Sequence, residues 1–175
     1  MGKLHFRKNT RLKKYDYSIP GYYFVTICTK NMNHYFGQVL QSKMVLSELG
    51  KSVGKYWLEI PQHFPYVELD HFIIMPNHIH GIIIIDNELN IDAVNEKFRS
   101  LQPNKQSSLS SIIKGFKIGV TKWNRKNNPS ESIWQKSFYD RVIRNERELY
   151  NIRKYILENP LKWKIEKSVS GNLDV

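Results

Sequence analysis

Two histidines one residue apart, His78 and His80, are the residues of this sequence whose type and spacing most directly suggest chemistry. Side chains of a β-strand alternate between its faces, so both imidazoles would point to one side and Ile79 to the other. Two imidazoles placed in this way can bind one metal ion, and a third ligand must then come from another part of the chain. The same pattern also fits two histidines on an exposed sheet face without any ligand.

A tyrosine and an asparagine near the C-terminus are candidates to complete such a site. Tyr155 and Asn159 are four residues apart, which places them on one face of a helix. A tyrosine beside a metal ligand can act as a covalent nucleophile. The alternative is that Tyr155 packs beside Ile152 and Ile156, and that Asn159 only caps the end of the helix.

A cluster of aromatic and basic residues between positions 134 and 144 offers another kind of chemistry. Aromatic rings interleaved with arginines can stack on bases and bind phosphates, and Arg141 and Arg144 are the candidates for phosphate contacts. The cluster also contains Tyr139, which local chemistry alone leaves as a rival to Tyr155 for the role of nucleophile. The alternative is a core strand whose charged side chains are simply solvated.

The elements that must position these residues follow from periodicity and turn signals. Runs of β-branched and aromatic residues predict strands over 22–29, 34–40, 67–75, 78–86 and 132–144. Apolar residues at helical spacing predict helices over 46–62, 108–127 and 145–159, with Ser47 and Asn145 as N-caps and Pro160 as the end of the last helix. This order predicts an α+β fold, a ferredoxin-like βαββαβ antiparallel-sheet sandwich with an additional C-terminal helix.

The bulk composition narrows the class of protein. The 175 residues suit a single domain over residues 1–175. Cys28 is the only cysteine, which excludes an intramolecular disulfide and favours a reducing compartment. No apolar run reaches the roughly 20 residues of a membrane helix. The sequence has no glycine-rich phosphate loop and no cysteine cluster, which disfavours P-loop nucleotide binding and structural zinc fingers.

The net charge of +11 points to a polyanionic partner, because lysines and arginines that displace counterions from phosphates supply much of the affinity for nucleic acids. The charge is +6 in residues 1–30 and +6 in 105–127, against −3 in 31–104 and +2 in 128–175. This distribution predicts a basic N-terminal arm over 1–20 and a basic helix, flanking a more neutral scaffold. Residues 87–107 are predicted to form a loop, and 165–175 a flexible tail.

Three segments, in order, resemble the motifs of a known family. The run Met75-Pro76-Asn77-His78-Ile79-His80 resembles the histidine–hydrophobe–histidine motif of the HUH transposases. The segment from Trp134-Gln135 to Asp140-Arg141-Val142-Ile143-Arg144 is similar to one in the REP-associated tyrosine transposases, and Tyr155-Ile156-Leu157-Glu158-Asn159-Pro160 resembles their catalytic helix. With Pro20-Gly21-Tyr22 before the first strand, the chain is identified as a member of this single-tyrosine HUH transposase family from about residue 8 to 165.

The resemblance implies an HUH nuclease fold and an enzyme that cuts and rejoins single-stranded DNA. His78, His80 and Asn159 would hold a divalent metal, Mg²⁺ or Mn²⁺. Tyr155, rather than Tyr139, would attack the scissile phosphate and form a 5′-phosphotyrosine link. The substrate would be hairpin-forming repeats, bound by a monomer or a homodimer in the bacterial cytoplasm, at the nucleoid and away from any membrane.

The resemblance also implies where DNA phosphates are held. The basic side chains of the N-terminal arm, the basic helix and the aromatic cluster would contact them, namely Arg7, Lys8, Arg11, Lys13, Lys14, Lys114, Lys117, Arg141 and Arg144. The alternative function is a non-catalytic module on the same fold that binds single-stranded nucleic acid or has a regulatory role.

Overall fold

The computed structural model describes residues 15–86, 108–128 and 132–170, and of residues 164–170 only the backbone. The first fourteen residues of the predicted basic arm, the predicted loop over 87–107 and residues 171–175 lie outside the described residues. No helix within the described ranges has both the length and the apolar character needed to span a bilayer. The elements are β1 (Gly21–Cys28), a short 3-10 helix (Lys30–Met32), β2 (Gly37–Leu40), β3 (Lys43–Leu46), α1 (Glu48–Leu58), α2 (Ile60–His63), β4 (Val67–Met75), β5 (His78–Ile85), α3 (Leu109–Asn127), β6 (Tyr139–Ile143) and α4 (Glu146–Ser170).

Four strands form one antiparallel sheet in the order β4-β5-β1-β6. β1 and β5 pair over their whole lengths, so Val25 lies opposite Gly81 and Thr26 lies opposite His80. Helices α1 and α3 occupy the two long connections, which is the arrangement of a ferredoxin-like fold. The predicted α+β class with an additional C-terminal helix is confirmed.

Both faces of this sheet are covered by helices. On one face α1 and α3 meet through the rings of Trp57 and Phe116, whose centres are 5.4 Å apart. On the other face Ile156 of α4 packs with Ile82 of β5 and Ile143 of β6. The two histidines of β5 alternate in phase with Ile82, so they face α4.

Gly81 makes room for the largest side chain of the core. Trp57 is fully buried, and a Cβ at Gly81 would lie 2.3 Å from the indole Cζ2 atom. The indole is flanked by Phe72, 5.8 Å away between ring centres, and by Phe116. Packing therefore requires a glycine in the middle of β5.

The segment between residues 34 and 63 is more divided than its periodicity predicts. The predicted strand over 34–40 is reduced to β2, which pairs with the unpredicted β3 in a separate two-stranded sheet. The predicted helix over 46–62 begins as expected, because the Ser47 hydroxyl accepts a hydrogen bond from Gly50 N at 3.0 Å. It ends at Leu58, and Pro61 then lies in the first turn of α2, where its missing N–H is not needed.

The predicted strand over 132–144 forms only as β6. Trp134 makes an isolated bridge with Thr29, outside the main sheet ladder. The ammonium group of Lys117 then donates hydrogen bonds to the carbonyl oxygens of Gln135 at 2.9 Å and Ser137 at 3.0 Å. These carbonyls are turned towards α3 instead of a neighbouring strand, so regular pairing starts later.

The predicted end of the last helix at Pro160 is wrong, because α4 continues through this residue to Ser170. A proline inside a helix removes a main-chain hydrogen bond and costs about 3 kcal/mol. The next turn carries Trp163, whose ring centre is 5.6 Å from that of His34 and 5.8 Å from that of His78. These contacts offset part of that cost, and the backbone of residues 165–170 is helical.

A pair of opposite charges ties α4 to the edge strand β4. Arg153 donates from Nε to Oδ1 and Oδ2 of Asp70, at 3.1 and 3.0 Å, and from Nη2 to Oδ2. Asp70 lies in a β-bulge, since β4 has two residues, Asp70 and His71, where β5 has only Ile82. A bulge re-aims side chains, and this one accompanies the turn of Asp70 towards α4.

The Asp70–Arg153 pair makes stability depend on acid pH. Burial acts to raise the pKa of Asp70, but hydrogen bonds from Arg153 and His71 together outweigh it and lower the pKa to about 2. The pKa of a free aspartate is about 3.9, so this stabilisation is complete above about pH 5 and is lost as the pH falls towards 2. We expect the protein to melt at a higher temperature than Asp70→Asn near neutral pH. The difference should shrink as the pH falls from about 4 towards 2.

Thermal unfolding followed by circular dichroism measures this difference. Glu68→Gln, which removes an exposed carboxylate of the same strand, is the matched control. A difference between the protein and Asp70→Asn that stays constant down to about pH 2 would contradict the assignment.

Gly81→Ala is expected to destabilise the fold, because its Cβ would overlap an indole that cannot move away. Overpacking of this kind costs about 1–3 kcal/mol and should lower the melting temperature by roughly 2–10 °C. The control is Gly54→Ala in the interior of α1, where the nearest atom is the flexible Ile74 Cδ1 at 3.3 Å. Alanine improves helix propensity there, so the melting temperature should hold or rise. Equal losses in the two variants would be incompatible with this packing.

Candidate active site

His78 begins β5 with one nitrogen already committed to a hydrogen bond. Its Nδ1 is 2.7 Å from Oδ1 of Asn77, and the Asn77 amide nitrogen donates to the Met32 carbonyl at 3.2 Å, which fixes the orientation of the amide. An amide oxygen only accepts, so Nδ1 of His78 carries the proton. The lone pair of its Nε2 is therefore available to a ligand.

His80 is held in a similar way by a residue of β1. Its Nδ1 is 2.8 Å from the hydroxyl of Thr26, and its ring stacks on Phe24 with 5.3 Å between centres. The hydroxyl of Tyr155 lies 3.3 Å from Nε2 of the same imidazole. A phenol can donate to Nε2 when Nδ1 carries the proton, so the tyrosine oxygen lies beside the atom that a metal would use.

Burial keeps both imidazoles neutral. It lowers the pKa of His78 to about 4, and burial together with the neighbouring His78 lowers the pKa of His80 to about 3. Neutral imidazole is the form that binds a metal. In the described part of the chain, no group of three or more His, Cys, Asp or Glu side chains could hold a metal, so a third protein ligand would be of another type.

Asn159 is a side chain of that other type. Positions 155, 159 and 163 are successive four-residue steps on one face of α4. The ring of Tyr155 is 5.2 Å from that of His80, and the ring of Trp163 is 5.8 Å from that of His78, so Asn159 lies between two contacts with the histidine pair. Its side chain is buried. Two imidazole nitrogens and an amide oxygen would form a mixed set that suits a divalent ion such as Mg²⁺ or Mn²⁺.

Tyr155 reaches the histidines, whereas Tyr139 does not. Tyr155 is 38% exposed, which leaves its ring open to a substrate, and the ammonium of Lys162 lies 5.2 Å from the ring centre. Tyr139 lies on β6 opposite Thr26, two strands from β5 and thus about 10 Å from His80. This placement favours Tyr155 as the nucleophile.

The residues expected to contact DNA are placed in different ways. On α3, Lys114 is exposed, whereas burial lowers the pKa of Lys117 to about 8, against a smaller opposing influence of Cys28. The two carbonyl partners of Lys117 give it a structural role. Arg141 donates to Glu148 at 2.5 Å, and Arg144 is exposed. The remaining candidates lie outside the described residues, namely Arg7, Lys8, Arg11, Lys13 and Lys14.

Several residues that hold the site together are not predicted by the sequence patterns. Phe24 and Thr26 are two positions apart on β1, so they lie on the same face of the sheet as the histidines. The alternation of side chains along β1 would predict this placement once the pairing of β1 with β5 is known. Asp70 and Arg153 are separated by 83 positions and meet through a bulge, so no local pattern could have paired them. Trp163 was missed because the helix was expected to end before it.

The chain is similar in sequence to two bacterial proteins. No protein-family model matches the chain. An uncharacterized protein of Haemophilus influenzae is 40% identical over 164 residues, which cover 91% of this chain and 91% of that protein. A second Haemophilus influenzae protein, whose name assigns it provisionally to the REP-associated tyrosine transposases, is 24% identical over 147 residues, 84% of this chain and 74% of that protein.

A solved structure of a REP-associated tyrosine transposase bound to a REP hairpin matches the fold. The TM-score is 0.51 at 20% sequence identity, and the match covers 87% of this chain and 73% of that chain. This likeness shows a shared fold, and the 40% identity over nine tenths of both chains shows a shared family. The chain thus belongs to the family of that first Haemophilus influenzae protein, and its resemblance to the REP-associated tyrosine transposases is confirmed.

Proposed function

We propose that the chain is a metal-dependent, single-tyrosine nuclease and strand transferase that cuts and rejoins single-stranded DNA at hairpin-forming repeats. The observation that carries the proposal is the 3.3 Å separation between the Tyr155 hydroxyl and Nε2 of His80 within one chain. A nucleophile beside two neutral imidazoles suits metal-assisted phosphoryl transfer, and a purely binding module has no need of it. The relative solved with a REP hairpin supports DNA as the partner, which in turn favours a cytoplasmic location.

In the proposed reaction the oxygen of Tyr155 attacks the phosphorus of a phosphodiester. A bond forms between this oxygen and phosphorus, and the bond from phosphorus to the 3′ oxygen of the preceding nucleotide breaks. The tyrosine loses its proton to solvent, and the departing 3′ oxygen takes one up. The products are a 5′-phosphotyrosine and a 3′-hydroxyl, and attack by a 3′-hydroxyl on the phosphotyrosine rejoins the strand without outside energy.

The metal would be held by His78, His80 and Asn159. Mg²⁺ or Mn²⁺ bound there would neutralise charge on the scissile phosphate. The protein itself holds the imidazole ligands in a fixed orientation. The hydrogen bonds that Nδ1 of each histidine makes with Asn77 and Thr26 fix the orientation of the rings, and Nε2 of His80 lies 3.3 Å from the Tyr155 hydroxyl of α4.

The tyrosine would serve the histidines of its own chain. Arg153, two positions before Tyr155, is bound to Asp70 of β4, and Ile156 is fully buried against the sheet. Both contacts hold α4 over the same chain's β5. A monomer therefore contains every residue that the proposed reaction needs.

Tyr155→Phe is expected to abolish a covalent protein–DNA product, because it removes the attacking oxygen. Single-stranded hairpin DNAs taken from the flanks of the gene are mixed with the protein and Mn²⁺ or Mg²⁺, and the products are separated on a denaturing gel. The covalent band should appear with the unaltered protein and disappear with a chelator.

Tyr139→Phe is the matched control and should retain the band. Loss of the band in Tyr139→Phe but not in Tyr155→Phe would reverse the assignment of the nucleophile. Tight binding without a band on a wide set of hairpins would instead identify a non-catalytic module. Mixing Tyr155→Phe with His78→Ala should not restore the product, since the proposal places each active site within one chain.

Mn²⁺ is expected to stabilise the fold through His78, His80 and Asn159. A ligand at about 100 times its dissociation constant adds about 2.7 kcal/mol, which corresponds to roughly 5–10 °C in a domain of this size. The shift in melting temperature should disappear in His78→Ala and fall in Asn159→Ala. His63→Ala, which removes an exposed histidine of α2, should keep it. An equal shift in all these variants would exclude a metal site at the histidine pair.

A further inference from the structure

A basic groove lies on the side of the sheet away from the histidines. It runs between α3 and residues 136–138 and encloses about 490 Å³. Its floor includes the apolar side chains of Ile113, Ile118 and Phe138. Five cationic side chains line it, namely Lys114, Lys117, Lys122, Arg125 and Lys136.

The cations of α3 extend over a length that matches several phosphates of a DNA strand. Lys114, Lys122 and Arg125 lie within one stripe of the helix, and the eleven positions that they span correspond to about 16 Å. A stacked DNA strand has one phosphate per about 3.4 Å of axis, so the stripe matches about five phosphates. Neither these three side chains nor Lys136 takes part in any ion pair among the described residues.

Lys117 joins the two walls of this groove through hydrogen bonds. Its ammonium binds the carbonyls of Gln135 and Ser137, and its own carbonyl accepts a hydrogen bond from Trp134 Nε1 at 3.3 Å. These bonds fasten the segment that carries Lys136 to α3. The opposite walls of the groove are therefore fixed relative to each other before any partner binds.

A short path connects the groove with the histidines. His80, Thr26 and Tyr139 form one row across the sheet, and Tyr139, which is 53% exposed, ends this row at the edge. The preceding residue, Phe138, packs with the core on the opposite face and lines the groove. A strand that leaves the histidine pair can therefore pass over Tyr139, round the edge of the sheet and into the groove.

We propose that this groove binds the phosphate backbone of the DNA strand adjacent to the cleaved position. The proposal rests on the proposed function for the identity of the strand, and on the unpaired cations for the contact itself. The floor offers aliphatic side chains and the buried Phe138, with no exposed aromatic ring on which a base could stack. The contact is therefore with phosphates and is independent of sequence.

The test compares two triple variants that lose the same charge. Lys114, Lys122 and Lys136 are changed to glutamine in one, and the exposed Lys43, Lys51 and Lys55 of β3 and α1 in the other. Affinity for a short DNA that covers only the cleavage site, and for one extended by about ten nucleotides, is measured by fluorescence anisotropy from about 50 to 200 mM salt. Both variants should melt at the temperature of the unaltered protein.

The groove variant should lose the affinity that the extension adds. Each phosphate contact on single-stranded DNA contributes about 0.7 to the slope of log affinity against log salt, so three lost contacts lower the slope by about 2 on the long DNA. The slope on the short DNA should stay unchanged, and so should both slopes of the control variant. Changing the sequence of the extension should have no effect.

Equal slopes for the two variants on the long DNA would overturn the proposal, and so would an equal loss on the short and the long DNA. The outcome is separate from that for the nuclease. Length-dependent binding through the groove without any covalent band would contradict the proposed nuclease reaction and support the role of the groove. A covalent band with no difference in DNA affinity between the two triple variants would contradict the role of the groove and support the nuclease reaction.

Discussion

The burial of two neutral imidazoles between a sheet and a helix is the constraint on which the rest of the structure depends. A buried polar group is costly unless it is hydrogen-bonded, and each imidazole has one partner for Nδ1 within the sheet layer. For His80 that partner is Thr26, which is available only because β1 pairs with β5 in a register that places the two opposite each other. On the far face of β5, Gly81 admits the indole of Trp57, so the same strand joins the core on one side and carries the histidines on the other.

The helix over the histidines is held by different forces from the rest of the fold. The large apolar core lies on the other face of the sheet, and the cluster beneath α4 contains only Ile82, Ile143 and Ile156 as buried members among the described residues. The position of α4 therefore depends on polar and aromatic contacts, namely Arg153 with Asp70, Tyr155 with His80 and Trp163 with His78. An element with few buried apolar contacts belongs to the less stable part of a protein, where binding segments are usually found.

Local patterns predicted the sheet side of the site better than the helix side. The hairpin of β4 and β5 formed where alternation placed it, so the shared face of His78 and His80 followed from the sequence alone. Helical spacing put Tyr155 and Asn159 on one face, but it could not bring them to a strand 75 residues earlier, and only the family resemblance did so. The bulge at Asp70 and the helical Pro160 were missed because each carries a local cost that contacts distant in sequence offset.

The placement of charge separates the two surfaces that a DNA strand would meet. Around α4 the cations are largely matched by acids of the same chain, since Lys154 and Lys162 pair with Glu158, and Arg141 pairs with Glu148. A matched surface attracts a polyanion weakly, because phosphates must compete with carboxylates already in place. The exposed cations of α3 take part in none of the ion pairs among the described residues, so within the described surface the attraction for a polyanion is strongest there. If the proposed function holds, a fold with its unpaired charge on one face and Tyr155 on the other would hold the strand at α3 and leave the scissile phosphate free to approach Tyr155.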